Sequence, residues 1–417
     1  MKRVALAAML GLMAFAPAQA QTVTYLSINT GDNDQALMAE AGKEYEAAHP
    51  GVTVEFPVLE NEAFKSKLTT LLQSPDAPDF FHSWGGGVFE EQAHAGVLRP
   101  IDDLLSQDAK DAVGQAGIAH FTAPDGHIYG IARNVQGVMI WYNKKLFADG
   151  GVDPASMATW DGFLAGVKKL KDAGITPLSL GGKDKWPAQF YWAYLIIRNA
   201  GHDGFYAAKD GENGGFNNED VIRAGNMLND LAALEPFQEG YQAAGYGDSC
   251  AIFGDQKAAM HLMGEWDYNC SKDASLSKLG VGDDNLGLMP FPSIEGGKGQ
   301  ATDSLGGMEG YVFSKGADDE AIKFVEWFNS KDVQSKFAAK SIYIPISKGA
   351  ADALPNQFHK AIAELAGNST WHQLFFDQTL GADVGGQFND LALELASGEL
   401  TGAEAAQMLE EAAADAR

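Results

Sequence analysis

The N-terminal quarter of the chain alternates between two periodicities. Residues 23–28, Val-Thr-Tyr-Leu-Ser-Ile, read as a strand, and the polar run 29–34 reads as a turn that supplies helix caps. Leu37, Met38, Ala41, Tyr45 and Ala48 then recur at helical spacing until His49-Pro50-Gly51 stops the helix. Residues 52–58 return to the period of two. Phe64, Leu68, Leu71 and Leu72 mark one face of a second helix, and residues 79–84, Asp-Phe-Phe-His-Ser-Trp, read as a third strand. A β-α-β-α-β run of this kind predicts a largely parallel sheet covered by helices.

The same grammar recurs downstream. Residues 138–143 are strand-like, and Thr159 caps a helix bearing Phe163, Val167 and Leu170 that ends at Gly174. Residues 257–264 offer another strand. Asp318, Asp319 and Glu320 open a helix with Ile322, Val325 and Phe328 on one face, and Thr401-Gly402-Ala403-Glu404 fits a capping box. The Gly- and polar-rich stretches 210–218 and 293–306 read as surface connections. At 417 residues the chain exceeds what one core sustains, so two α/β domains of similar size are expected.

Composition narrows the class. A net charge of −26 argues against nucleic acid and anionic lipid, which need a basic footprint. Lys2-Arg3, the apolar run 4–16 and Ala18-Gln19-Ala20 form a secretory signal peptide over residues 1–20, with cleavage expected before Gln21. That run is too short to span a bilayer. The chain has two cysteines, Cys250 and Cys270. In an oxidising compartment such a pair is expected to form a disulfide, the alternative being two buried thiols.

Catalytic motifs are missing. The Trp84-Gly85-Gly86-Gly87 stretch lacks the Lys and hydroxyl of a phosphate loop, the histidines show no metal spacing, and no G-x-S-x-G elbow occurs. Acidic pairs for glycoside hydrolysis stay open, because 56 acidic residues guarantee pairs somewhere. Tryptophan placement is the distinctive feature. Trp141, Trp160 and Trp327 fall on apolar strand or helix positions and read as core, with Trp192 intermediate. Trp84, Trp186, Trp266 and Trp371 fall at element ends beside Gly, Pro or polar residues. A flat ring among polar neighbours suits the C–H face of a sugar, and α/β sheets bind ligands beyond the carboxyl ends of their strands.

Four stretches carry a wider resemblance: residues 44–56 (EYEAAHPGVTVEF), 78–105 (PDFFHSWGGGVFEEQAHAGVLRPIDDLL), 141–163 (WYNKKLFADGGVDPASMATWDGF) and 253–266 (FGDQKAAMHLMGEW). In this order over most of the chain they resemble the family-1 extracellular solute-binding proteins, the carbohydrate receptors of bacterial ABC importers. The resemblance implies a type II-like two-lobe binding-protein fold, each lobe a mostly parallel sheet flanked by helices, with three hinge crossings near 134–138, 301–306 and 341–347. The N-terminal lobe would comprise 22–133 and 306–341, and the C-terminal lobe 138–300 and 348–417. It further implies a periplasmic monomer that holds a small carbohydrate and meets a membrane permease, with no catalysis, cofactor or metal.

Carried onto this sequence, the ligand site would use Asn29 and Asp32 after the first strand and Trp84, Gly85 and Gly86 after the third. Gln136 would lie at the first crossing and Glu309 after the second. The C-terminal lobe would add Trp186 with Gln189, Trp266 with Asp267, and Phe375 with Asp377. The glycines are expected to let a sugar lie against backbone amides. Two rivals remain: a secreted carbohydrate-active enzyme, and a receptor of the same fold for a polyamine, since aromatic rings and carboxylates also hold amines.

Overall fold

A computed structural model describes residues 21–417; the leader assigned to residues 1–20 lies outside them. Eleven strands are described: β1 Gln21–Leu26, β2 Val52–Glu55, β3 Phe80–Ser83, β4 Gly130–Gly137, β5 Met139–Asn143, β6 Leu178–Ser179, β7 Met260–Met263, β8 Leu286–Met289, β9 Ser304–Phe313, β10 Ile344–Pro345 and β11 His372–Leu374. They form a seven-stranded sheet in the order β10-β4-β9-β3-β1-β2, with β11 on β9, and a four-stranded sheet in the order β6-β7-β5-β8.

The parallel expectation holds for β2-β1-β3, for β11-β9 and for β6-β7, but β3, β4 and β10 meet their neighbours β9 and β4 antiparallel, as β7 and β8 meet β5. Both sheets are therefore mixed. Parallel pairing needs a crossover of a dozen or more residues. β4 instead runs into β5 through Val138 alone, carrying the chain from one sheet directly to the other.

The first sheet is covered on both faces, and the pleat sorts its side chains. Tyr25, Phe80, Ile131, Tyr311 and Phe313 join one apolar cluster with the helices Asp32–Ala48, Asp319–Phe328 and Lys331–Ala339. Their immediate neighbours Leu26, Phe81, Ala132 and Val312 join another, with Phe64, Leu68 and Phe89. Period-two alternation between two cores is what a sandwiched sheet requires.

The second sheet shares its core with Trp141, Phe163, Leu228, Phe253, Phe388 and Leu409. Through it runs the Trp186–Lys209 helix, buried on every side from Trp186 to Gly201. Capping follows the sequence: Thr159 Oγ1 accepts from Gly162 N at 3.2 Å, and Thr401 and Glu404 form the reciprocal box. Trp141 and Trp160 are core, whereas Trp327 is only half-buried on its cluster. Trp192 stacks on Phe388, and Trp371 is buried against Phe205 and His202, so its position beside a polar loop is structural.

The stretch 293–303 is the surface connection expected, from β8 to β9, which begins at Ser304, and its ends are pinned. Buried Arg198 donates to the carbonyls of Phe291, Pro292, Ala301 and Asp303, and a Cβ on Gly297 or Gly299 would strike the backbone of Arg198 or Ile197. Its glycines serve close backbone approach. At the crossing itself, Tyr194 Oη donates to Val138 O at 2.6 Å and accepts from Leu305 N at 3.2 Å, joining two of the passing segments. β11 pairs with β9 of the first sheet, although the helices around it pack in the second core.

Candidate functional site

A cavity of about 510 Å³ opens beyond the carboxyl ends of β1, β3 and β7. From the first sheet's side Asn29 and Asp32 enter after β1, Trp84 after β3, Gln136 from the end of β4, and Glu309 from β9. From the other side come Trp186, Gln189, Trp266, Phe375 and Asp377. The structure thus brings these sequence-nominated residues to one cavity.

Three nominated residues do not line it. Gly85 and Gly86 have φ of 75° and 69°, and a Cβ there would meet the His120 ring at 2.5 Å or Leu374 Cδ2 at 2.6 Å and Gln378 O at 2.8 Å. They are glycines because the turn into the Gly86–His94 helix is left-handed and pressed against protein, so the turn accounts for them and not the expected cradling of ligand. Asp267 is fully buried, its Oδ2 3.0 Å from His261 Nδ1, at the start of the Asp267–Ala274 helix. The carboxyl beside Trp266 that reaches the cavity is Glu265.

The far wall is an aromatic cluster. Trp186 lies 5.0 Å from Tyr246 and 5.5 Å from Phe190, and Phe190 lies 5.5 Å from Phe375, which meets Trp266 edge-on at 6.0 Å. Phe190 belongs beside Gln189 on the buried helix, and Tyr246 opens the Tyr246–Gly254 helix. Neither is singled out by the sequence, since an aromatic on an apolar helix reads as core. Trp84 faces this wall from the first sheet's side, with Phe64 and His82 edge-on behind it.

The floor is charged but paired. Arg133 sits at a β-bulge, where the β4–β9 register slips between Ala132 and Asn134, and bulges re-aim side chains. Its Nη2 lies 2.5 Å from Glu309 Oε2, its guanidinium covers Tyr343 at 4.6 Å, and Gln136 Nε2 donates to Glu309 Oε1 at 2.7 Å. Burial opposes the Glu309 charge, yet its carboxyl is held below the usual range. Burial pushes the nearby His82 imidazole down to about 4, so at neutral pH Arg133 is the cation that holds Glu309 ionised. Arg133 is not singled out by the sequence, because no local periodicity marks β4.

Two other cavity carboxyls go the opposite way. Burial pushes Asp34 up to about 7, against the opposing pull of Arg133 and a hydrogen bond from Asn29. Burial, reinforced by Glu309, raises Glu265 well above the carboxylate range, while its Oε2 accepts from Gly137 N at 3.2 Å. Gln136 Oε1, Gln189 Oε1 and Tyr246 Oη are buried without a protein partner, and all three residues line the cavity. Lys65 also lines the cavity, its Nζ 3.2 Å from Asp377 Oδ2 and 5.6 Å from the Trp84 ring centre.

The disulfide expectation is met: Cys250 and Cys270 are bonded, with Cα atoms 5.7 Å apart. Among the described residues no cluster of three or more His, Cys, Asp or Glu side chains could hold a metal, and no helix is long and apolar enough to cross a membrane.

Comparison with known proteins agrees with this architecture. An uncharacterised ABC transporter extracellular-binding protein of Pyrococcus horikoshii is 28% identical over 258 residues, spanning 60% of this chain and 57% of that protein. Among solved structures, a chitin oligosaccharide binding protein is 28% identical, with a TM-score of 0.84 over 95% of this chain and 99% of its own. A protein solved in work on xylan utilisation by the thermophilic bacterium Caldanaerobius polysaccharolyticus is 25% identical, also with a TM-score of 0.84, over 94% and 99% of the two chains. The profile of the bacterial extracellular solute-binding proteins matches residues 28–335, well over half the chain, and the protein belongs to that family.

Proposed function

We propose that this protein is the periplasmic substrate-binding component of an ABC importer, capturing a neutral sugar or oligosaccharide in the cleft between its lobes. It would be exported by the leader over residues 1–20, act as a monomer, and present its cargo to a membrane permease. The lobes, 22–133 with 306–341 and 138–300 with 348–417, would close about the crossings at 134–138, 301–306 and 341–347. Closure is favoured to the extent that the closed state binds cargo more tightly.

The observation that carries this reading is the aromatic wall of Trp186, Phe190, Trp266 and Phe375, opposite Trp84 and interleaved with buried, unpartnered amide oxygens. Rings supply apolar area to sugar C–H faces, and the amides take hydroxyls. The electrostatics support an uncharged cargo. The cations Arg133 and Lys65 are already paired, and burial favours the protonated forms of Asp34 and Glu265, which then both donate and accept. An enzyme reading finds little support, because Glu309 is engaged by Arg133 and Gln136 while Glu265 accepts from the crossing backbone.

A thermal-shift screen of the mature protein tests the proposal, using neutral saccharides, sugar alcohols and polyamines, with each mixture checked for breakdown. Cargo at 100 times its dissociation constant should add roughly 2.7 kcal/mol of stability. A shift with one saccharide series, recovered intact, is the expected result. Shifts only with amines, or cleavage products, would overturn it.

A further inference from the structure

A second cavity, of about 470 Å³, adjoins the first and shares Lys65, Trp84, Asp377 and Gln378 with it. The Lys65–Asp377 ion pair, with Trp84 beside it, therefore stands between two chambers of similar size. The second chamber is walled mainly by polar residues, among them Ser66, Thr69, Asp184 and Asp390, over the buried side chains of Phe64, Leu68 and Phe81. Gln92 Oε1 and Asn389 Oδ1 are buried there without a partner, and His82, 1% exposed, also lines it, with its Nε2 3.6 Å from Glu309 of the first cavity.

One wall of this chamber is the Ala382–Ser397 helix, where Gly386 faces it. A Cβ on Gly386 would meet nothing within 4 Å, and its φ is not positive, so neither packing nor backbone geometry calls for glycine. Glycine weakens a helix interior. Here its effect on the fold is to leave that face of the chamber bare.

We infer that the second chamber continues the binding site, so that a saccharide of several units runs from the aromatic wall past Trp84 and the Lys65–Asp377 pair into it. This deepens the saccharide reading above and rests on it. The pair lies where the chain would pass, and its ammonium and carboxylate are placed to exchange their mutual contact for sugar hydroxyls. Short saccharides would occupy the first chamber alone, and length preference would be set by the second.

Calorimetric titration with the chitobiose-to-chitohexaose and xylobiose-to-xylohexaose series tests this. In the unsubstituted protein one series should gain at least about tenfold in affinity between the disaccharide and the longest members. Gly386→Phe, which fills the chamber from the helix, should erase that gain while leaving disaccharide affinity within about threefold. Gly386→Ala should keep the gain, separating chamber filling from any change in the helix. Thr69→Trp, at an exposed position on the opposite wall, repeats the block from the other side should Gly386→Phe fail to fold. Length-independent affinity, or equal loss for short and long members, would overturn the second chamber and leave the receptor reading standing. Binding of no saccharide, here or in the screen, would overturn the receptor reading and this inference with it.

Discussion

Gly86 and Trp266 stand on different sides of the cleft and should fail in different ways. Gly86→Val forces a β-branched residue to φ of 69° and drives its Cβ toward Gln378 O and Leu374. Left-handed backbone at a non-glycine residue costs about 1–3 kcal/mol before the clash is counted. Its signature should be a lowered melting temperature, with saccharide affinity of the folded fraction changed little. Trp266→Ala instead removes a half-buried ring from the aromatic wall. That variant should lose on the order of tenfold or more in affinity with a smaller loss of stability. Melting curves and calorimetry on both variants check the contrast; a Gly86→Val protein that melts normally but does not bind would return the glycines to the ligand. The sequence singled out both residues, but whether a side chain faces ligand or protein depends on its neighbours in space.

At the scale of elements, the disulfide ties the Tyr246–Gly254 helix to the Asp267–Ala274 helix across β7. Tyr246 begins the first helix and Trp266 directly precedes the second, so the bond holds two members of the aromatic wall from behind. A loop of this size, with a sequence separation of 20, contributes about 3 kcal/mol when closed. Cys250→Ser with Cys270→Ser, or reduction of the native protein, should lower the melting temperature and weaken saccharide binding through a looser wall. Unchanged stability after verified reduction would contradict this. The strands β1, β2, β3, β5 and β7, the caps at Thr159 and Thr401 and the helix faces were legible because each is written in local periodicity and cap chemistry. The antiparallel placement of β9 was not, because strand pairing is set by a partner far away in sequence.

For the molecule as a whole, the buried charges between the sheets couple stability to pH. Asp34, facing Arg133, Asn29, Glu309 and Asp273, has a folded value of about 7 against 3.8 unfolded. Between those values the folded state keeps a proton that the unfolded state releases. Its contribution is therefore fully present below about 4 and is lost as pH rises through 7. His82, His359 and His372, each pushed down to about 4 by burial, act in the opposite sense and lose stability as pH falls below their ordinary value of 6.5. The Asp34 part is isolated by difference. Asp34→Asn should gain on the parent by up to about 4 kcal/mol from pH 4 to pH 7, since each unit is about 1.4 kcal/mol. Denaturant melts at several pH values measure it, and parallel curves for the two proteins would refute it.

The sequence by itself determined the α/β class, the helices with clear caps or apolar faces, the cysteine pairing, and Trp186 and Trp266 of the aromatic wall, because these depend on side-chain periodicity, cap chemistry and residue type; Phe375 came from the family resemblance. Only the tertiary structure decided that Glu265 rather than Asp267 reaches the cavity, and that Arg133, Lys65, Phe190 and Tyr246 join it. It also decided that Gly85 and Gly86 serve the backbone, and that a second cavity adjoins the first. Burial, ion pairing and cavity shape are properties of surfaces brought together from distant parts of the chain, and no local pattern encodes which surfaces will meet.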